Sequence, residues 1–403
     1  MPQSQQSIGI ALPVREWSPY ADEAIKSFST HARSIDRLFV SIDGSEDELN
    51  KFQNSIDLDN RVSFLRTTKP LSMAGHYEWC VAHLCTEWVT VLGQDDALQF
   101  NFGSEASRAI EFARSHDLKA ISFRRAYFNW NDGTSEYLGY GLKYATNGRP
   151  RQIRSKPQLV RGLLGFVEHF DLPQIYTNNL VRKEVVDRIR QLQDGRVFLE
   201  PIPDTYSGVA VAADLSRYLR WPVPVFWTGT SNMSAGLAVT WTRRVPAHIV
   251  LANAEGRSFG VSQEYWVQAN NSSVFILSAL LSRNSAEQPQ SRRALFIQVA
   301  SASVFAARWT QMLRKGRLHG EGPRGLRNAQ SNTRLRGLKL VTAAILGLLL
   351  IPLQAIAHSL RTAHFLIGTL RKNGLRVLES DAIETPSAAN AALREKQQSN
   401  VQS

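Results

Sequence analysis

Short apolar runs and helix-periodic stretches alternate through the first 125 residues. Residues 7–14 read as a strand, with Pro13 near its end. Over residues 19–33, Ala21, Ala24, Ile25 and Phe28 fall at the spacing of one helix face, and Pro19 suits a first turn. Residues 38–42 and 62–66 are β-rich runs. Residues 73–85 carry Ala74, Tyr77, Val81 and Leu84 on a helical stripe. Trp88-Val-Thr-Val-Leu92 is a run of β-branched, aromatic and aliphatic residues that Gly93 stops, as suits a buried strand. A capped helix over 104–116 and a fifth strand over 120–123 follow. This alternation predicts an α/β fold: a Rossmann-like, mostly parallel sheet with helices on both faces.

Beyond residue 126 the periodicity weakens and turn signals multiply, at Asn129-Trp-Asn-Asp-Gly133 and Asn147-Gly-Arg-Pro150. Tyr127, Phe128, Trp130, Tyr137, Tyr140 and Tyr144 suit either a sugar-stacking surface or anchors of core and loops. A helix is predicted over 206–218, and others over 274–281 and 294–313. Residues 316–336 are rich in Arg, Gly and Asn and read as a flexible linker. Residues 340–357 contain no charge, and 381–403 are polar and rich in small residues. The division that follows is 1–125 and 126–245 as two parts of one catalytic domain, 246–336 as a helical extension with a basic linker, 337–375 as a hydrophobic segment, and 376–403 as a disordered tail.

Charge sharpens this division. The 403-residue chain has a formal charge of +12, with 43 % hydrophobic and 20 % charged residues. Residues 292–339 hold eleven Lys or Arg against the single acid Glu321. A local excess of that size points to a phosphate-bearing surface rather than to a generally basic protein. A nucleic-acid partner is not expected, because interleaved aromatics and a recognisable module are missing. The apolar run 340–357 just reaches spanning length, but Pro352 and Gln354 interrupt it and basic residues flank both ends. Monotopic attachment to the anionic inner face of the cell membrane meets both facts, with a buried helix as the alternative. The first seven residues lack the basic start and apolar core of a secretory signal. Cys80 and Cys85 are spaced unlike a tetrahedral metal site and read as buried thiols of a reducing cytosol.

The candidate chemistry sits at strand ends. Asp95-Asp96 follows the fourth strand and Asp43 the second. Ligands of open α/β sheets gather outside the carboxyl ends of the strands, although paired Asp is also common in plain turns. Within residues 1–125, neither a G-x-G-x-x-G loop nor a Walker A loop follows a strand to cradle phosphate. A diphosphate bound here would therefore need a divalent cation, Mg or Mn, on oxygen ligands such as Asp96.

Three passages together resemble the inverting glycosyltransferases of family 2, which have the GT-A fold. They are Ile10-Ala-Leu-Pro-Val14, then Val40-Ser-Ile-Asp-Gly-Ser-Glu-Asp47, and then Met73-Ala-Gly-His-Tyr-Glu-Trp79 running into Leu92-Gly-Gln-Asp-Asp-Ala-Leu98. The region they span is about a quarter of the chain. The resemblance implies a nucleotide diphosphate sugar as donor, with Pro13 and Arg15 lining the base pocket. Asp43 and Asp95 would lie on the nucleoside, and Asp96 on a DXD-type metal. It also implies a catalytic base at a loop-to-helix junction, for which Asp204 is the candidate and Asp171 and Glu200 the substitutes. His169 reads as a packed or surface histidine. Ile42 stands where the family has a first acid, Gly93 and Gln94 where many members have another, and Pro203 where a Glu precedes the base. The expected function is transfer of a sugar to a hydroxyl of a lipid-linked or polysaccharide acceptor. The alternative is a non-catalytic GT-A-like binder or scaffold of an envelope polysaccharide assembly.

Overall fold

The computed structural model describes residues 7–43, 59–132, 142–144, 148–234, 247–261, 272–286, 376–378 and 385–402, with isolated positions near 46–50 and 263–266. The basic stretch 292–339 and the apolar run 340–357 lie outside the described residues. Among the described residues no helix is long and apolar enough to cross a membrane.

The order of elements is β1 (Ile8–Val14), α1 (Pro19–His31), β2 (Arg37–Ile42), β3 (Val62–Arg66), α2 (Met73–His83), β4 (Trp88–Val91), β5 (Ala97–Leu98), α3 (Phe102–Ser115), β6 (Ala120–Phe123), β7 (Ala126–Asn129), β8 (Leu142–Tyr144), β9 (Arg151–Arg154), α4 (Ser155–Leu163), β10 (Asn179–Arg182), α5 (Lys183–Leu192), α6 (Pro203–Asp214), β11 (Arg217–Trp221), β12 (Phe226–Thr230), α7 (Ala247–Ala254), α8 (Ser272–Ala286), β13 (Arg376–Leu378) and α9 (Pro386–Gln402).

Eight strands form a large sheet in the order β3-β2-β1-β4-β10-β6-β11-β9. β1 is buried on both sides, which is why it reads as a continuous apolar run. Its side chains alternate: Ile8, Ile10, Leu12 and Val14 pack with α1 and α3, while Ala11 faces the opposite core with α2, α5, α6 and α8. Helices therefore cover both faces, as expected. The helix starts are fixed locally. Ser18 caps α1 by accepting from the Ala21 N–H at 3.3 Å, and Ser72 caps α2 by accepting from the Gly75 N–H at 2.9 Å.

The sheet is more mixed than the strand–helix alternation predicts. β10 runs antiparallel to both β4 and β6, and β9 antiparallel to β11. β10 has only Leu180 and Val181 as apolar residues between Asn179 and Arg182, too short a run to register as a strand. The helix expected over 206–218 begins earlier and stops at Asp214. Tyr218 and Leu219 then point to opposite cores as part of β11, so sheet pairing overrides the helical pattern. A second sheet, β13-β8-β7-β12-β5, stands beside the first.

The expectation of a disordered tail fails. α9 buries Ala389, Asn390 and Leu393, and the two apolar residues join Ala97, Ala126, Phe128, Trp130 and Trp227 in one cluster. Alanines and one leucine suffice because they face a ready-made aromatic surface, which composition does not reveal. Of the two cysteines, Cys80 is buried as expected, but Cys85 follows the end of α2 and is exposed.

Candidate functional site

β4 ends where β1 can still hold it, with the Leu92 N–H donating to the Ala11 carbonyl at 2.8 Å. The chain then turns through residues 93–96. Asp96 folds back: its Oδ2 accepts from the Gly93 N–H at 3.0 Å and from the Thr177 hydroxyl at 2.5 Å, and its Oδ1 accepts from the Gly229 N–H at 2.7 Å. It is 1 % exposed. Burial, and then the neighbouring Asp95 charge, push its pKa up to about 7 against the pull of these donors. Asp95 is half-buried. Its Oδ2 accepts from the Ser231 hydroxyl at 3.0 Å and from the Ser234 hydroxyl, while its backbone carbonyl accepts from Trp130 Nε1 at 2.9 Å. Burial raises its pKa also, and the serine bonds oppose the rise. A Cβ at Gly229 would collide with the Asp95 carbonyl, and one at Gly93 would come within 2.6 Å of Asp96 Oδ2. Both positions need glycine for close approach.

Thr177 reaches Asp96 because the next residue, Asn178, holds a left-handed φ of 70° and sends its own Nδ2 to Thr228 Oγ1 at 2.6 Å. The acid turn is thus clasped between the lead-in to β10 and the far end of β12.

Asp43 stands at the end of β2, with β1 between it and β4. Two strand spacings put it roughly 10 Å from the acid turn, on the same edge of the sheet. Thr67 Oγ1 donates to its Oδ1 at 2.9 Å and the Leu71 N–H to its Oδ2 at 3.2 Å. Pro13 is half-buried in register with Ser41, and Arg15 is exposed just past the end of β1. The charges of Asp43 and Arg15 act in opposite senses on His76, so all three share one corner. His76 lies against Ser41 Oγ at 2.5 Å, and burial pushes its pKa down to about 4, which leaves it neutral at pH 7.

Asp204 lies in the first turn of α6, two residues past the N-cap Ile202, and so does not cap the helix. It is half-buried. Burial raises its pKa, while the Thr205 N–H and the Arg125 guanidinium oppose the rise. Tyr77 and Tyr176 stack with centroids 6.1 Å apart. Burial raises both phenols well above the usual range, and the charges of Asp204, Asp95 and Asp96 add to the effect in each. The tyrosine pair therefore lies within electrostatic reach of the junction acid and of the acid turn together.

The substitute bases have other tasks. Asp171 pairs with Arg220 at 2.6 Å and accepts from the Glu168 N–H at 3.0 Å. Glu200 is fully enclosed, with Ser278, Ser282 and Gly260 all donating to one oxygen. His169 is a packed histidine: it meets Ser272 Oγ at 2.8 Å, and burial pushes its pKa down to about 3. Among the aromatics, Phe128 and Trp130 are core anchors and not a sugar platform. Tyr137 and Tyr140 lie outside the described residues.

The sequence pattern does not single out Thr177, Tyr176 or Arg125, and it places Tyr77 only on the apolar stripe of α2. Thr177 and Tyr176 follow a Pro-Gln-Ile run with no motif, and only the fold brings them to the acids. Ser231 and Ser234 lie in a polar loop with no motif, and they hold Asp95.

Among the described residues no three His, Cys, Asp or Glu side chains group closely enough to form a metal cage. The acid turn does supply adjacent carboxylates whose pKa values burial raises, and neither forms an ion pair among the described residues. That donor set fits a hard divalent cation that completes its shell with water and phosphate oxygens.

No family model matches the chain, and no curated protein matches it. Among solved structures, S. aureus TarS 1–349 in complex with UDP is 12 % identical, with 89 % of this chain and 92 % of that chain covered at a TM-score of 0.48. The same protein in complex with UDP-GlcNAc is 12 % identical over 78 % of this chain and 93 % of that one, at 0.44. The mannosyltransferase PcManGT from Pyrobaculum calidifontis, in complex with GDP-Man and Mn2+, is 12 % identical over 85 % and 86 %, at 0.37. Likeness at this level settles neither fold nor activity for this chain.

Proposed function

We propose that this protein is a metal-dependent glycosyltransferase of the inverting, GT-A type. It moves a sugar from a nucleotide diphosphate sugar to a hydroxyl of a lipid-linked or polysaccharide acceptor. The observation that carries the reading is the acid turn: two adjacent carboxylates, Asp96 buried and Asp95 half-buried, without a cationic partner among the described residues, on the sheet edge that also bears Asp43. Such a pair in the absence of a cation is short of positive charge. When bound there, a divalent metal neutralises the charge of the leaving diphosphate.

The residues divide the remaining work. Pro13 and Arg15 border the base, and Asp43, steadied by Thr67 and the Leu71 N–H, accepts from the nucleoside. Within the acid turn, Asp96 was the expected ligand, but its enclosure suits it to supply charge from beneath, and half-buried Asp95 presents the reachable carboxylate. Asp204 takes the acceptor's proton, and burial raises its basicity toward the working pH. The basic stretch 292–339 and the apolar run 340–357 would hold the protein at the inner membrane surface, beside lipid-borne acceptors.

The test is thermal-shift titration of the full chain with UDP- and GDP-sugars, with and without Mn2+ or Mg2+, followed by a donor-hydrolysis assay. Metal-dependent stabilisation and turnover that are both lost in Asp96→Ala would support the reading. Absence of metal-dependent stabilisation with every donor would overturn it. Binding without turnover on any acceptor would favour a non-catalytic nucleotide-sugar binder.

A further inference from the structure

The chain returns at its end to the two strands that hold the acid turn. β5 begins directly after Asp96. β12 supplies Gly229, whose N–H donates to Asp96, and leads into Ser231 and Ser234, whose hydroxyls hold Asp95. Asn390 of α9 joins these strands. Its Oδ1 accepts from Trp227 Nε1 of β12 at 3.0 Å and from the Phe100 N–H, just past β5, at 3.3 Å. Its Nδ2 donates to the Leu98 carbonyl of β5 at 3.1 Å and meets His31 Nε2 at 3.1 Å.

The side chain is 3 % exposed, and its oxygen and nitrogen each have two partners. β5 and β12 share only the Phe226–Leu98 and Trp227–Ala97 register positions, so their ladder is short. Ala389 and Leu393 flank Asn390 in the same aromatic cluster as Trp130, whose indole holds the Asp95 carbonyl. The helix is also pinned at its start, where the Ser387 N–H donates to Glu23 Oε1 at 2.7 Å.

We infer that Asn390 is a positioning residue for the acid turn, and that α9 is a clamp which holds β5 against β12 so that Asp95 and Asp96 keep their spacing. For its binding readout this inference rests on the function proposed above; its exchange readout does not.

The experiment compares the full chain with Asn390→Leu, which keeps the bulk and removes all four polar contacts, and with Arg394→Ala. Arg394 stands over the Phe100 ring on the same helix and makes none of the four hydrogen bonds of Asn390. Hydrogen–deuterium exchange is read peptide by peptide, and binding of UDP and GDP is titrated with and without Mn2+. In Asn390→Leu, exchange should rise over residues 93–100 and 226–234 and stay unchanged over 8–14 and 37–42. Mn2+-dependent nucleotide affinity should fall by about tenfold, an effect of about 1.4 kcal/mol. Arg394→Ala should leave both unchanged. The inference is overturned if the exchange rise is confined to the tail, spreads evenly through the sheet, or is matched by Arg394→Ala. It is likewise overturned if affinity is unchanged while the acid-turn peptides open. If the wild-type chain binds neither nucleotide, the proposed function falls, and the exchange pattern alone decides the role of Asn390.

Discussion

Glu200 gives a sharp prediction about stability and pH. The residue is fully buried beneath α8, and Oε1 accepts from Ser278 Oγ at 2.6 Å, Ser282 Oγ at 2.8 Å and the Gly260 N–H at 2.9 Å. Oε2 is buried with no partner. Burial pushes the pKa from 4.5 up to about 7, and the three donors only partly offset it. Between these two values the unfolded chain has released a proton that the folded chain keeps, so stability must fall as pH rises. At about 1.36 kcal/mol per pH unit, the loss attributable to Glu200 between pH 4.5 and pH 7 is about 3 kcal/mol, and above that it levels off. Glu200→Gln keeps the carbonyl oxygen for the three donors and places an uncharged NH2 where the unpartnered oxygen sits. Urea unfolding of both proteins from pH 4.5 to 8.5, read as the difference between them, cancels every other titrating group. The wild type should match the variant in acid and lag it by about 3 kcal/mol near pH 8. A difference that is independent of pH, or that favours the wild type as pH rises, would refute the reasoning.

Three further outcomes follow from the site and the thiols. Asp204→Asn should lower turnover by roughly 10²–10⁴-fold while leaving Mn2+-dependent nucleotide binding intact, as single-turnover and binding measurements would separate; equal loss of both would remove it as the base. Thr177→Val takes the hydroxyl from a buried carboxylate and should cost roughly 1–3 kcal/mol of stability near pH 8, read by urea unfolding, with the larger effect in metal affinity. A thiol reagent should label exposed Cys85 in the native protein, whereas Cys80, buried and with its pKa pushed up to about 12, should react only after unfolding, which peptide mapping by mass spectrometry would show.

The first half of the sheet could be read from the chain because its signals are local. β1, β2 and β4 are buried on both faces and write themselves as apolar runs, and α1 announces its start with Pro19. The acids at the strand ends were visible for the same reason. β10 was not, since its two apolar residues carry no pattern, and its antiparallel direction depends on which gap in the sheet remained open. α9 was missed because a helix made of alanine and polar residues looks unstructured until an aromatic surface elsewhere in the chain receives it.

The division of labour within the acid turn lies beyond local reading altogether. Asp95 and Asp96 are identical residues side by side, and nothing in their immediate sequence says which is enclosed. Asp96 is enclosed because Thr177 and Gly229, 81 and 133 residues away, close over it. Asp95 is held at the rim because Ser231 and Ser234 take one of its oxygens from the side. Thr177 comes from the lead-in to β10, and the other three partners sit at the end of β12 or just beyond it. A strand pairing that shifted β12 by one residue would replace the Gly229 N–H with a neighbour bearing a side chain, and the collision with the Asp95 carbonyl would break the turn. The register of β12 against β5 and β7 therefore decides which acid is enclosed and which stays at the rim, and Asn390 is bonded to both β5 and β12 from behind.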